Sequence, residues 1–225
     1  MQSNTQQHAN RYTKITLDID ALDTQIKQYE QLLIKNEGGV LHEQVDILPF
    51  FKRSAPLLSC LIPSWNSWAT GPYLYRFELP LYGQMRPDLT VLNGDTIYFI
   101  EFEDALPSSI FSGKKLERDF ADRYNHGFSQ ITDWFWRVEY MNPTDKNAWF
   151  GQFQNLKLKG ILVIGRDRFI QDSNELARLQ WRSNRVLVDS KAIEVVTYDT
   201  LLTSFKGYQA GILDAAAMRS QVQKT

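Results

Sequence analysis

Asp88, Glu101 and Glu103 are the side chains whose types and spacing best suit chemistry. Asp88 follows Pro87, and the two glutamates close the apolar run Ile97-Tyr98-Phe99-Ile100. Ionised carboxylates in such a setting are costly unless positive charge meets them. Asn93-Gly94 lies between two strand-like runs, 87–92 and 96–103, and predicts a tight hairpin turn. That turn sets Asp88 and Glu101 at the same end of the hairpin. Alternation along a strand puts Glu101 and Glu103 on the face of Ile97 and Phe99, with Tyr98, Ile100 and Phe102 opposite. Both faces begin apolar, so the strand is expected to be central and covered on each side. Three converging carboxylates raise one another's pKa, and a divalent cation relieves this; oxygen-only ligands suit Mg2+ or Mn2+. The competing reading leaves the acids at a solvated strand end, or pairs them with Arg76 or Arg86.

The elements that would position these groups follow from periodicity and punctuation. Residues 1–16 are polar and Gln/Asn-rich and read as a poorly ordered tail. Asp18-Ile19-Asp20 offers caps for a helix to about Lys35, with Leu22, Ile26, Tyr29 and Leu33 at helical spacing. A break at Gly38-Gly39 precedes helices over 40–51, disturbed at Pro49, and 55–61; 63–72 reads as a loop. Strands are predicted at 73–81, 87–92 and 96–103, then a long helix over about 114–141 and a loop over 142–157. The mostly apolar run 158–164 suits a buried strand. Residues 173–181 read as helical, 186–188 and 193–197 as strands, and 198–205 as the start of a helix. Residues 17–210 form the expected domain, and 211–225 a C-terminal tail or helix. This order points to α/β or α+β.

Composition narrows the class. The chain has 225 residues, 43% hydrophobic and 23% charged, with a formal net charge of −1, as in an ordinary globular protein. One cysteine, Cys60, precludes an intramolecular disulfide, and no Cys/His cluster has zinc spacing. No secretory leader is evident and no apolar run is long enough to span a bilayer, so a cytoplasmic location without membrane partners is expected. Residues 1–104 hold 8 basic and 13 acidic side chains, a net −5, and residues 105–225 hold 17 and 13, a net +4. The C-terminal half is therefore the half that could track phosphates. Phosphate-loop, dinucleotide-binding and serine-elbow motifs are absent.

Within the 114–141 stretch, Phe120, Tyr124, Phe128, Ile131, Phe135 and Val138 repeat at helical spacing and are expected to face the core. Arg123, His126, Gln130, Trp134 and Arg137 fall on a different face. Arg123 and Arg137 could hold phosphates and Trp134 could stack on a base; the alternative packs Trp134 and Gln130 against the following loop.

These residues resemble the PD-(D/E)XK nuclease superfamily: Pro87-Asp88, a twelve-residue gap, then Glu101-Phe102-Glu103. More narrowly, the chain resembles the Shedu-type (DUF4263) nuclease domain over roughly residues 30–205. The likeness rests on Leu41-His42-Glu43 leading to Pro56-Leu57-Leu58, on the hairpin, on the 160–166 segment GILVIGR and on the 195–202 segment VVTYDTLL. It implies a restriction-endonuclease-like core, a mixed central β-sheet flanked by helices, and cleavage of DNA phosphodiesters with Mg2+ or Mn2+ in bacterial anti-phage defence. By the same resemblance Asp88 and Glu101 are metal ligands, Glu43 (then Glu37) matches an upstream helical Glu, and Gln130 with Trp134 matches a Gln-aromatic pair near the metal. Such proteins often assemble as homo-oligomers and carry an N-terminal sensing region, so a separate regulatory polypeptide is a further expected partner.

One departure is plain: Glu103 stands where the pattern has Lys. Glu103 could serve as a second ligand or as the base for water. Lys114 or Lys115 could supply the missing charge. In the remaining alternative the fold is catalytically silent and binds DNA or a partner protein.

Overall fold

The computed structural model describes residues 12–35, 37–65, 73–81, 85–114, 116–151 and 155–222. Among these, seven strands form one mixed sheet: β1 (Thr13–Lys14), β2 (Tyr73–Phe77), β3 (Leu89–Asn93), β4 (Thr96–Phe102), β7 (Lys157–Val163), β8 (Leu187–Val188) and β9 (Lys191–Val196), in the order β1-β2-β3-β4-β7-β9-β8. β5 (Phe111–Ser112) and β6 (Asp119–Phe120) make a separate small hairpin. β4 runs parallel to β7, and β7 parallel to β9; the remaining pairs are antiparallel. Helices α1 (Ile19–Lys35), α2 (Leu48–Arg53), α3 (Ala55–Trp65) and α7 (Tyr198–Val222) surround one core; α4 (Asp122–Glu139), α5 (Pro143–Phe150) and α6 (Ser173–Arg185) accompany the other.

β4 is the central strand, buried along its whole length. Its side chains alternate between the two cores as a pleated strand requires. Tyr98, Ile100 and Phe102 join Leu22, Tyr29 and Phe51, with Phe51 and Phe102 stacked at 4.5 Å between centroids. Ile97 and Phe99 join Tyr124, Ile131, Phe135 and Val138 of α4. The expected hairpin is present: Gly94 adopts φ 57° in the turn, and Leu89 pairs with Ile100. The mixed sheet with helices on both faces is compatible with a restriction-endonuclease-like core.

α4 lies close against the sheet because two glycines leave room. A Cβ on Gly160 of β7 would overlap Ile131 Cγ2 and lie 3.1 Å from Ile193 Cγ1. A Cβ on Gly127 of α4 would lie 2.6 Å from Leu162 and 3.1 Å from Glu103 Cγ. These contacts fix the height of the helix above the end of β4.

Several expected boundaries shift for identifiable reasons. α4 begins at Asp122 rather than near 114, because Arg118 is drawn into a buried pair with Glu175 (2.6 Å from both Nε and Nη2). Its guanidinium also donates to the carbonyls of Phe111 and Phe169, which holds β5 where it pairs with β6. The 142–157 loop contains α5; the Asn142 side chain accepts from Asp145 N–H at 2.9 Å, and Pro143 opens the helix. The 40–51 helix becomes a π-helical turn (Glu43–Ile47) followed by α2, and α3 continues to Trp65, into the expected loop. Residues 12–16, read as tail, include β1 and the buried Tyr12 and Ile15; residues 1–11 lie outside those described. The 211–222 segment is helical.

Gly160→Val should lower stability by about 1–3 kcal/mol, the range for overpacking a filled core. A urea unfolding curve with an unchanged slope and an earlier midpoint would display it.

Candidate functional site

The site sits where β3 begins and β4 ends, beneath the first half of α4. In the antiparallel register Asp88 falls opposite Glu101, one step beyond the Leu89–Ile100 pair. Asp88 Oδ2 accepts the Phe102 N–H at 2.9 Å, which pins that carboxylate to the neighbouring strand. Asp88 and Glu101 are buried and hydrogen-bonded side chain to side chain. Such a bond needs a proton on one of the two. Among the described residues neither acid forms an ion pair with arginine, and Glu101 Oε2 is buried without a hydrogen-bond partner.

The pKa shifts follow from this environment. Burial, countered in part by the Phe102 N–H and reinforced by the charge of Glu43, pushes Asp88 up to about 7. Burial first, and then the charges of Asp88, Glu103 and Glu43, lift Glu101 well above the usual carboxylate range. Glu43 is also raised, by burial and the charge of Glu103.

Glu103 has a different environment. It is 1% exposed, and its carboxylate meets Arg123 Nη1 at 2.9 Å and His126 Nδ1 at 3.2 Å. Its backbone is tied by the Tyr198 hydroxyl donating to its carbonyl at 2.7 Å and by its own N–H donating to Val163. Arg123 reaches two further acids, Asp104 at 3.2 Å and Glu43 at 3.9 Å. Glu43 is delivered from far upstream by the Leu41–Ala105 bridge and by its N–H, which donates to Asp104 Oδ1 at 2.7 Å. Five acids therefore gather here: Glu103, Asp104 and Glu43 share the Arg123 guanidinium, and Asp88 and Glu101 lie beside them without an arginine or lysine partner among the described residues.

The other expected site residues distribute as follows. Gln130 lies one helical turn beyond His126, and its Oε1 is buried without a partner. Trp134 is not a surface platform: it is 2% exposed and packs edge-on against Phe99 at 5.9 Å. The apolar arc of α4 is wider than the six residues of the expected stripe, and Trp134 belongs to it, so its base-stacking role is withdrawn. Arg137 is near the far end of α4, its guanidinium 4.9 Å over the Trp136 ring. Arg123, read as a phosphate binder, is occupied by carboxylates. Lys114 is exposed in the turn after β5. Lys115 lies outside the described residues. Arg166 is buried and bidentate with Asp199 at 2.8 Å on both arms. Asp104 and Gly127 were missed; adjacency of Asp104 to Glu103 was the available signal, and a lone helical glycine carries little.

Among the described residues no three His, Cys, Asp or Glu side chains converge closely enough to hold a metal ion. The fit is to a two-carboxylate site, the mode Mg2+ favours when it keeps several waters and takes further oxygens from a phosphate. Asp88 and Glu101 match that donor set, and the unpartnered Glu101 Oε2 is the atom left for it.

The fold and site define a mixed α/β domain, compatible with a restriction-endonuclease-like core, that carries buried acids at the end of a central hairpin. The family model described as Shedu protein SduA, C-terminal, matches residues 41–202, and the chain belongs to that family. Membership indicates a role in anti-phage defence. A search of curated proteins gave no match. Among the described residues no helix is long and apolar enough to cross a membrane.

The elevated Asp88 pKa has a sign that can be checked. The folded state holds a proton that the unfolded state releases near pH 4, so this stabilisation is present at low pH and is lost as pH rises towards 7. In EDTA, Asp88→Asn should flatten that decline and melt at a higher temperature than wild type at pH 8.

Proposed function

We propose that this protein is a metal-dependent DNA phosphodiester hydrolase of the PD-(D/E)XK type, acting in anti-phage defence. The observation that carries this reading is the buried Asp88–Glu101 pair, side by side at the end of the central hairpin, with no cationic partner among the described residues and with Glu101 Oε2 unsatisfied. A structural protein gains nothing from two uncompensated buried acids, whereas a divalent ion would turn that cost into binding energy.

Asp88 and Glu101 are the ligands for Mg2+ or Mn2+ in this proposal, with Glu43 close enough to add its field. When bound, the ion polarises the scissile phosphate and makes a coordinated water more acidic. The chain's own groups do the rest. The Phe102 N–H fixes Asp88. Glu103, in the place of the pattern's Lys, holds Arg123 at the strand end, and that guanidinium supplies the positive charge the lysine would have brought. Gln130 orients water or a phosphate oxygen through its buried amide.

A second reading is favoured by one observation. Arg123 and His126 already occupy Glu103, so a catalytically silent fold that binds DNA or a partner protein is the alternative.

Cleavage of DNA with Mn2+ separates the two. Wild type should cut, and Asp88→Ala and Glu101→Gln should lose at least about a hundredfold in rate, a typical cost for a ligand that positions a catalytic metal. Mn2+ should also raise the melting temperature of wild type and not of Asp88→Ala. Tight DNA binding with no cleavage by wild type would establish the silent alternative.

A further inference from the structure

Away from the carboxylates, α6 presents a second assembly of charge and aromatic surface. Arg182 lies over three rings of the neighbouring segment: Phe120 at 4.6 Å, Tyr124 at 4.9 Å and Phe128 at 5.3 Å. Arg178 lies 5.3 Å from both Phe111 and Phe120 and donates to the Arg118 carbonyl at 2.7 Å. Among the described residues neither guanidinium has an acidic partner. Between them on the helix, Trp181 is 64% exposed. Phe120, Ala177, Arg178, Trp181, Arg182 and Val186 line an open cavity of about 550 Å³.

Two features are unusual for a plain solvated face. The cations are held on ring stacks, so little side-chain freedom remains to be lost when an anion arrives. A large indole also stands in water beside them. Fixed guanidiniums next to an aromatic face are what a nucleotide uses: phosphate on the cation and base on the ring. The position agrees. Arg182 Nη2 reaches Asn125 Oδ1 at 3.5 Å, and the residues flanking Asn125 include Arg123 and His126, which touch Glu103. The patch therefore adjoins the turn of α4 that covers the carboxylate site.

We propose that the Arg178–Trp181–Arg182 face of α6 holds an unpaired nucleotide of the DNA strand that crosses the carboxylate site. The proposal rests on the nuclease reading for the identity of the strand, and it makes single-stranded or frayed DNA the preferred substrate class. An acidic peptide would satisfy the two arginines and leave Trp181 unused.

Fluorescence anisotropy in EDTA tests this without cleavage, using a labelled oligodeoxythymidylate and a labelled duplex of equal length. Wild type should bind the single strand more tightly. Trp181→Ala should weaken it about tenfold, as expected for loss of one base stack. Arg178→Ala should lower the slope of log affinity against log salt by about 0.7, the contribution of one phosphate contact on a single strand. Tyr140→Ala, an exposed aromatic at the far end of α4, should change nothing. Equal binding by wild type and Trp181→Ala overturns the proposal, as does absence of strand binding by wild type. Competition by polyglutamate as effective as by oligonucleotide also overturns it, in favour of a general acid-binding patch. Mn2+-dependent cleavage is scored on the same proteins: an unaffected Trp181→Ala with an inactive Asp88→Ala rejects this nucleotide site and leaves the nuclease reading standing.

Discussion

Asp88 and Glu101 meet in a seam lined by apolar side chains, and the neighbourhood is arranged against the penalty of that meeting. A hairpin turn sets their register, and the Phe102 N–H holds one of them. The apolar faces of β4 exclude the water that would otherwise solvate them. The strand carrying the acids is buried on both sides, so neither carboxylate can relax outwards without breaking the sheet. The local instability is retained by the stability of everything that packs around it.

Glu103 and Arg123 extend the same logic to the rim. One arginine bridges Glu103, Asp104 and Glu43, joining the end of β4, the upstream π-helical turn and the first turn of α4. Its charge is therefore divided among three acids, and the hydrogen bond to Glu103 holds its own pKa above the ordinary arginine value. With a glutamate at position 103, the positive charge at this strand end comes from Arg123 of the helix. Gly127 makes this possible, because any side chain there would meet Glu103 and Leu162.

The hairpin, the alternation of β4 and the pairing of Asp88 with Glu101 were legible because they depend on local rules: a two-residue turn, a period of two and a short loop. The strand at 157–163 was legible from the apolar residues Ile161–Ile164 that close the run read at 158–164, despite Lys159 and Gly160 before them. What escaped depended on partners distant in the chain. Arg118 reads as one more charge on a long helix until Glu175 is placed beside it. Trp134 reads as a surface residue when flanked by polar neighbours, yet Phe99 lies beneath it. The capping potential of Asn142-Pro143 was present in the letters and was outweighed by the polar residues around it. Arg123 was read on one face with His126, Gln130 and Trp134; its three carboxylate partners could not be read from spacing within that helix.

The Leu41–Ala105 bridge carries a kinetic consequence. It and the Glu43–Asp104 hydrogen bond close a chain segment of about sixty residues, and parallel pairing of β4 with β7 closes another of similar length. Contacts of such long separation form after local ones have reduced the search. The hairpin that joins Asp88 to Glu101 can therefore form early, while Glu43 arrives only when the N-terminal helices dock on the finished sheet. The acids nearest the chemistry are thus assembled in two stages, and a nascent chain would hold its inner pair before the rim that surrounds it.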